Sequence, residues 1–247
     1  MRYVLELAYK GTRYRGWQSQ KNALTIQGTI EEQLERMFQR KMQVVGCGRT
    51  DAEVHASYFV AHFDTNQDLP ERFIFRLNQM LPKDIAVYKV FPVAKVFHAR
   101  FSATYRRYIY KTTFVKDPFA EEEILHLYKE PNLEAMNEAC AELMKYEDFA
   151  AFSKKGDTAT TLCDLMEAQW VEVSGHYEFH VKANRFLRNM VRALVGTLLE
   201  VGYGDKTVED IKDIVASKDR SRSGKSVAAR GLYLQDIGYN WDEYREQ

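Results

Sequence analysis

The spacing of apolar residues along this chain switches between two periods, and it does so twice in the same order. That alternation limits the folds open to it. Residues 2–9 (RYVLELAY) place Tyr3, Leu5, Leu7 and Tyr9 on one face at a period of two, as a half-buried strand requires. Residues 25–40 carry Ile26, Ile30, Leu34 and Phe38 at helical spacing, with Thr25 as the N-cap. Strand-like runs follow at 43–47 and 57–63. Pro70 suits the first turn of a helix bearing Phe73, Leu77 and Leu81, and 85–91 (IAVYKVF) is again a strand. The order β-α-β-β-α-β then recurs. A strand is expected over 107–115, and Asn132 caps a helix through Leu133, Met136, Cys140 and Leu143. Strands at 168–173 and 177–183 flank the turn Ser174-Gly175-His176. A long helix is expected through 184–201, and another near 207–217 opens on the capping box Thr207-Val208-Glu209-Asp210. A strand at 231–238 closes the chain. The repeat is one of order, not of residue identity. It predicts an α+β fold of two ferredoxin-like halves, 1–102 and 103–247, joined without a Pro/Gly/Ser-rich linker. A cleft between such halves is the natural place for a site.

Composition narrows the function. The 247 residues are 45% hydrophobic, enough apolar surface to offset the entropy of folding and exclude general disorder. The 35 Lys+Arg balance 35 Asp+Glu, so a polyanionic partner would need a local basic surface. Cys47, Cys140 and Cys163 come without CxxC or His-rich spacing. No disulfide framework and no zinc or other metal site is expected, and a reducing cytoplasm fits. No apolar run suits a signal peptide or a membrane span, so the expectation is a soluble, cytoplasmic protein with no membrane partner. Neither G-x-x-x-x-G-K-[ST] nor G-x-G-x-x-G occurs, so no nucleotide cofactor is expected. A serine-nucleophile elbow and a metalloprotease motif are absent as well.

Four polar clusters remain. The densest runs from Gly46 to His55 (GCGRTDAEVH) between two expected strands. Its glycines allow tight backbone paths, and Arg49 lies close enough in sequence to keep Asp51 ionised. By residue types alone, a solvated loop with an Asx-turn is the commoner outcome, and a lone His55 is more often structural than a ligand. In the second cluster, Phe97 to Tyr110, basic and aromatic residues interleave, including Arg106 and Arg107. Such residues suit stacking on bases and binding of phosphate, but plain strand packing of Tyr108 and Tyr110 explains them too. The third is a stripe of Arg185, Arg188 and Arg192 on the expected helix, with no acidic partner before Glu200. The fourth, Lys218 to Lys225, holds Arg220 and Arg222 in a Gly/Ser context, equally a phosphate-binding or a merely solvated loop.

Together these clusters resemble the tRNA pseudouridine synthase A (TruA) family, in order and over nearly the whole chain. Tyr9-Lys10-Gly11-Thr12 through Gly16-Trp17-Gln18 is similar to the family's opening Y-D-G-T…G-W-Q. Gly48-Arg49-Thr50-Asp51-Ala52 resembles its G-R-T-D-A loop, and Phe97-His98-Ala99-Arg100 through Arg107-Tyr108-Ile109-Tyr110 its F-H-A-R…R-Y-x-Y segment. Phe186 through Met190-Val191-Arg192 and Gly196 resembles its F-x-x-x-M-V-R-x-x-V-G helix, and Gly231-Leu232-Tyr233-Leu234 its closing G-L-x-L.

The resemblance implies a pseudouridine-synthase-type catalytic domain with a basic central cleft. It implies a homodimer, without metal or cofactor, that isomerises uridine to pseudouridine in the anticodon stem-loop of tRNA. Asp51 would be the catalytic carboxylate. Tyr108, Arg49, Arg192 and Leu232 would bind the target nucleotide, with Arg192 pairing Asp51. Arg106, Arg107, Arg185, Arg188, Arg220 and Arg222 are the candidate RNA contacts. Three departures stand out: Glu53 where the family usually has glycine, Lys10 for the opening Asp, and Val227-Ala228-Ala229 for the usual A-P-A. A non-catalytic RNA-binding protein of the same fold is the second reading. A glycoside hydrolase would want a second, well-placed carboxylate, and Glu53 is too near Asp51 in sequence to serve.

Overall fold

The computed structural model describes residues 1–154 and 159–245. It is a mixed α+β protein with mostly antiparallel strand pairing, and contacts group it into two compact units. One is Met1–Thr104 together with the chain from Tyr233 onward; the other is Tyr105–Leu232. The apolar pattern predicts a second half that runs from 103 through 247. The chain from Tyr233 instead joins the first unit, because His55 and Ala56 pair in parallel with Tyr233 and Leu234.

In the first unit, β1 (Arg2–Tyr9) is central. It pairs antiparallel with β3 (His55–Asp64) on one side and β4 (Ile85–Val93) on the other, and β3 in turn pairs with β2 (Val44–Gly46). The alternation in β1 places Leu5 and Leu7 in full burial. Helix α1 (Ile26–Phe38) starts where expected, with the Thr25 side chain accepting from the Gly28 N–H. Helix α2 (Phe73–Met80) begins three residues after Pro70, which therefore lies outside it. Phe38 and Phe73 meet Phe63 of β3 at ring centroid distances of 6.1 Å each, so both helices bury an aromatic end against this sheet.

The second unit is built on β5 (Ala103–Thr113), which pairs antiparallel with β8 (His176–Ala183), and β8 with β7 (Leu165–Val173). A two-residue strand, β6 (Leu125–His126), runs parallel to β5 and had no signal in the sequence. Ser174 and Gly175 both take positive φ, +49° and +83°, as the tight β7–β8 hairpin requires. Helix α3 (Leu133–Leu143) is capped by Asn132, and α5 (Val208–Ser217) by the complete Thr207–Asp210 capping box. Helix α4 (Met190–Gly202) starts six residues later than expected. Asn189 before it adopts φ +67°, and residues 184–189 are turn and coil, so no helical stripe joins Arg185 and Arg188 to Arg192. Strand β9 (Leu232–Tyr239) leads into the first unit. Among the described residues, no helix is long and apolar enough to cross a membrane, and Cys47, Cys140 and Cys163 are all buried.

Candidate active site

The Asp51 loop leaves β2 after Gly46 and enters β3 at His55. Its bed is the segment that follows β1. Trp17 stacks on Phe59 at 4.0 Å and lies flat against Gly46, where a Cβ would sit 2.6 Å from the indole. Gly16 has φ +90°, and its missing Cβ would lie 2.5 Å from the Thr50 carbonyl oxygen. At Gly11 the same atom would lie 2.0 Å from the Val54 carbonyl oxygen. Both glycines are required because backbone here meets backbone. The approach is fixed by hydrogen bonds: Trp17 N–H donates to the Thr50 carbonyl (3.2 Å), and Glu53 N–H to the Tyr14 carbonyl (3.2 Å). The Tyr9 hydroxyl and Thr50 Oγ1 share a buried hydrogen bond of 2.8 Å. The bed itself is tied to Asp84, which accepts from Arg13 Nε and from the Tyr14 hydroxyl at 2.7 Å each.

On that bed Val54 N–H donates to the Asp51 carbonyl (3.3 Å), closing a turn that leaves Asp51 half-buried at its start. Arg49 is exposed, and its Nε donates to Gln18 Oε1 at 2.9 Å, so the guanidinium is held by the opening motif. Glu53 is exposed with φ +67°, a conformation that glycine adopts freely and other residues rarely do. Its carboxylate makes no hydrogen bond or ion pair among the described residues. His55 is structural: it is buried, stacks on Tyr233 at 4.6 Å, and its Nδ1 accepts from Gly11 N–H at 3.1 Å. The Phe97-His98-Ala99-Arg100 run is likewise a folded corner of this unit. Phe97 is fully buried against Tyr239, Trp241 and Tyr244, and Ala99 N–H donates to His62 Nδ1 at 3.2 Å. Burial lowers the His62 imidazole from 6.5 to about 4, with the nearby Arg2 charge adding to the effect.

In the second unit, Tyr108 stands opposite Val181 in the β5–β8 register and is half-buried. Its ring meets Phe186 edge to face at 5.1 Å and 88°. Tyr110, two residues on and facing the same side, is fully buried and donates its hydroxyl to the Ala228 carbonyl at 2.7 Å; burial pushes its hydroxyl pKa up. Arg107, on the opposite face, binds both oxygens of Glu167 at 2.5 Å. Arg106 Nη1 donates to the Asn184 carbonyl at 3.1 Å.

Arg192 lies in the first turn of α4. Its Nε donates to the Val227 carbonyl at 2.7 Å, and Val227 N–H returns to the Arg192 carbonyl at 3.2 Å. The basic loop before β9 packs backbone to backbone on this helix: a Cβ on Gly196 would lie 1.9 Å from the Lys225 carbonyl oxygen, and one on Gly224 would lie 2.6 Å from Thr197 N. Arg220 folds the loop itself, donating to Ser223 Oγ and Ser226 Oγ at 2.7 Å each and to the Gly224 carbonyl at 3.1 Å. Arg222 and Arg188 are exposed, Arg185 half-exposed, and Leu232 is buried where β9 begins.

The fold thus gathers Asp51, Arg49 and Glu53 in the first unit, and Tyr108, Arg192 and Leu232 in the second. Arg107 and Arg220 are engaged in local structure. Among the described residues, no three His, Cys, Asp or Glu side chains form a metal-holding group. The sequence reading assigned no task to Tyr9, Gly11, Gly16 and Trp17. Their signal was two glycines and two aromatics packed into the turn after a strand.

A family model described as tRNA pseudouridine synthase matches residues 7–102 and 139–240. The chain belongs to the tRNA pseudouridine synthase family. This is a family of isomerases. Relatives agree over nearly the whole length: the chain is 46% identical over 241 residues to tRNA pseudouridine synthase A of Parabacteroides distasonis, covering 96% of each chain. It is 47% identical over 247 residues to the protein of that name from Porphyromonas gingivalis, covering 98% of each. Asp51, Arg49, Arg192 and Leu232 lie within the two matched stretches, and Tyr108 lies between them.

Proposed function

We propose that this protein isomerises uridine to pseudouridine in the anticodon stem-loop of tRNA, with Asp51 as the catalytic carboxylate. The observation that carries the reading is the seating of the Gly48–Ala52 loop on the Tyr9–Gln18 segment. Two motifs far apart in sequence are needed together to hold one carboxylate. The reaction breaks the N1–C1′ bond, turns the base and rejoins it through C5, with loss of the C5 proton. An ionised carboxylate near C1′ can attack that carbon, stabilise its positive charge or take a sugar proton. No step is a redox change or a hydrolysis, so none needs a cofactor.

The target base must leave its stack, and Tyr108 offers an aromatic face for it. Arg49, Arg192 and Leu232 complete the proposed nucleotide contacts. Arg106, Arg185, Arg188 and Arg222 are proposed to meet the phosphate backbone, whereas Arg107 and Arg220 serve the local fold. In the first unit the sheet order β4-β1-β3-β2, with α1 and α2 in the connections, supports the ferredoxin-like reading. A cytoplasmic homodimer remains part of the proposal. The test is pseudouridine mapping in tRNA from cells with and without the protein. Loss of pseudouridine from the anticodon stem-loop supports the reading. An unchanged map refutes it and leaves an RNA-binding scaffold without turnover.

A further inference from the structure

Thr50, next to Asp51, is held at three points. Its carbonyl accepts the Trp17 N–H, its backbone abuts Gly16, where no side chain fits, and its hydroxyl meets the Tyr9 hydroxyl at 2.8 Å. The first two contacts are made by backbone and tolerate changes of side chain. The third depends on two side chains, both buried: Tyr9 is 4% exposed and Thr50 8%. Tyr9 is the last residue of β1, and its ring is packed against Phe59 and Trp17 at 5.4 and 6.1 Å. The hydroxyl therefore projects from a rigid strand end into the loop. A short buried bond of this kind resists displacement, because breaking it costs the buried Thr50 hydroxyl its hydrogen bond.

We propose that Tyr9 and Thr50 are positioning residues: their hydroxyl–hydroxyl bond sets the orientation of the Asp51 backbone, and through it the placing of the carboxylate. The inference rests on the reading of Asp51 as the catalytic group. It assigns neither residue a contact with RNA. Small displacements of a reacting group cost rate rather than binding, and an error of about 1 Å can cost on the order of a hundredfold.

The experiment compares Tyr9→Phe, Thr50→Val and Thr50→Ser with the wild type and with Asp51→Asn. Tritium release from tRNA carrying C5-labelled uridine gives kcat and KM, and filter binding gives tRNA affinity. Tyr9→Phe keeps the packed ring, and Thr50→Val keeps the volume, so both are suited to fold. Each should lower kcat by about tenfold to a hundredfold with KM and tRNA Kd unchanged. Thr50→Ser, which restores the hydroxyl, should recover most of the rate. The double variant Tyr9→Phe/Thr50→Val should be no slower than the worse single variant, since one bond is lost in all three. If Tyr9→Phe and Thr50→Val lose thermal stability but turn over at the wild-type rate, the bond is only structural and the proposal falls. A rate loss shared equally by Thr50→Ser also overturns it. Activity in Asp51→Asn would instead overturn the reading of Asp51, whatever the Tyr9 and Thr50 variants do.

Discussion

Replacing Glu53 with glycine should make the protein both more stable and a tighter binder of tRNA, for two separable reasons. The first is conformational. Glu53 sits at φ +67°, where an L-residue pays about 1–2 kcal/mol against its Cβ. Glycine removes that strain but adds freedom to the unfolded chain, which costs about 0.5–1 kcal/mol. Glu53 N–H still donates to the Tyr14 carbonyl in the variant, and no side-chain bond among the described residues is lost. The net gain is about 0.5–1 kcal/mol, or about 1–4 °C in Tm for a chain of this length. The second reason is electrostatic. An exposed carboxylate about 7 Å from a phosphate in water costs about 0.6 kcal/mol, close to threefold in Kd. Salt screens that repulsion over about 10 Å at 0.1 M and over about 3 Å at 1 M. The affinity gain of Glu53→Gly should therefore be about threefold at low salt and vanish at high salt. Calorimetry measures the first effect, and filter-binding titrations at two salt concentrations the second. A lower Tm would refute the strain argument. An affinity unchanged at both salts would show that Glu53 faces away from the RNA.

Two further substitutions test other parts of the account. Ala228 holds φ −54° and ψ 152°, values proline favours, and its N–H makes no hydrogen bond among the described residues. Ala228→Pro should raise stability by about 0.4–1 kcal/mol in thermal unfolding, and a fall would show that the N–H is used. Tyr108→Phe keeps the ring and its edge-to-face contact with Phe186, whereas Tyr108→Leu loses both. If stacking is the task, Phe should retain most of the rate and Leu little; a Leu variant with wild-type kinetics would make Tyr108 a packing residue only.

The elements were legible wherever side-chain periodicity and backbone conformation agree. Strand β1, helices α1, α3 and α5, and their caps at Thr25, Asn132 and Thr207 followed from spacing and capping chemistry. The start of α4 did not, because Leu187, Val191 and Leu194 keep the helical period of buried residues while Asn189 turns the chain to φ +67°. Apolar spacing records which side chains are buried, not which backbone carries them. Strand β5 ends at Thr113, not 115, because the Thr113 hydroxyl accepts the Val115 N–H and turns the chain. The departures at 53 and 228 were visible as residue identities. That the backbone takes a conformation glycine favours at 53 and one proline favours at 228 needed the dihedral angles. For the site, the sequence singled out Asp51 by its loop and its motif. The bed beneath it was not legible, because the Tyr9–Thr50 bond and the Gly16–Thr50 approach join residues more than thirty positions apart. The arginines divide for the same reason: charge marked all of them alike, and only contacts show Arg107 held by Glu167 and Arg220 by its own loop.

The most direct measurement is tritium release from C5-labelled uridine in tRNA by Asp51→Asn, made alongside its melting temperature and its tRNA Kd. The substitution keeps the size of the side chain and removes its negative charge. The Asp51 carbonyl still accepts the Val54 N–H, so the loop should keep its turn. Asp51→Asn should keep Tm and Kd close to wild type and show no detectable turnover. Turnover by Asp51→Asn at a rate comparable to wild type would contradict the catalytic role of Asp51.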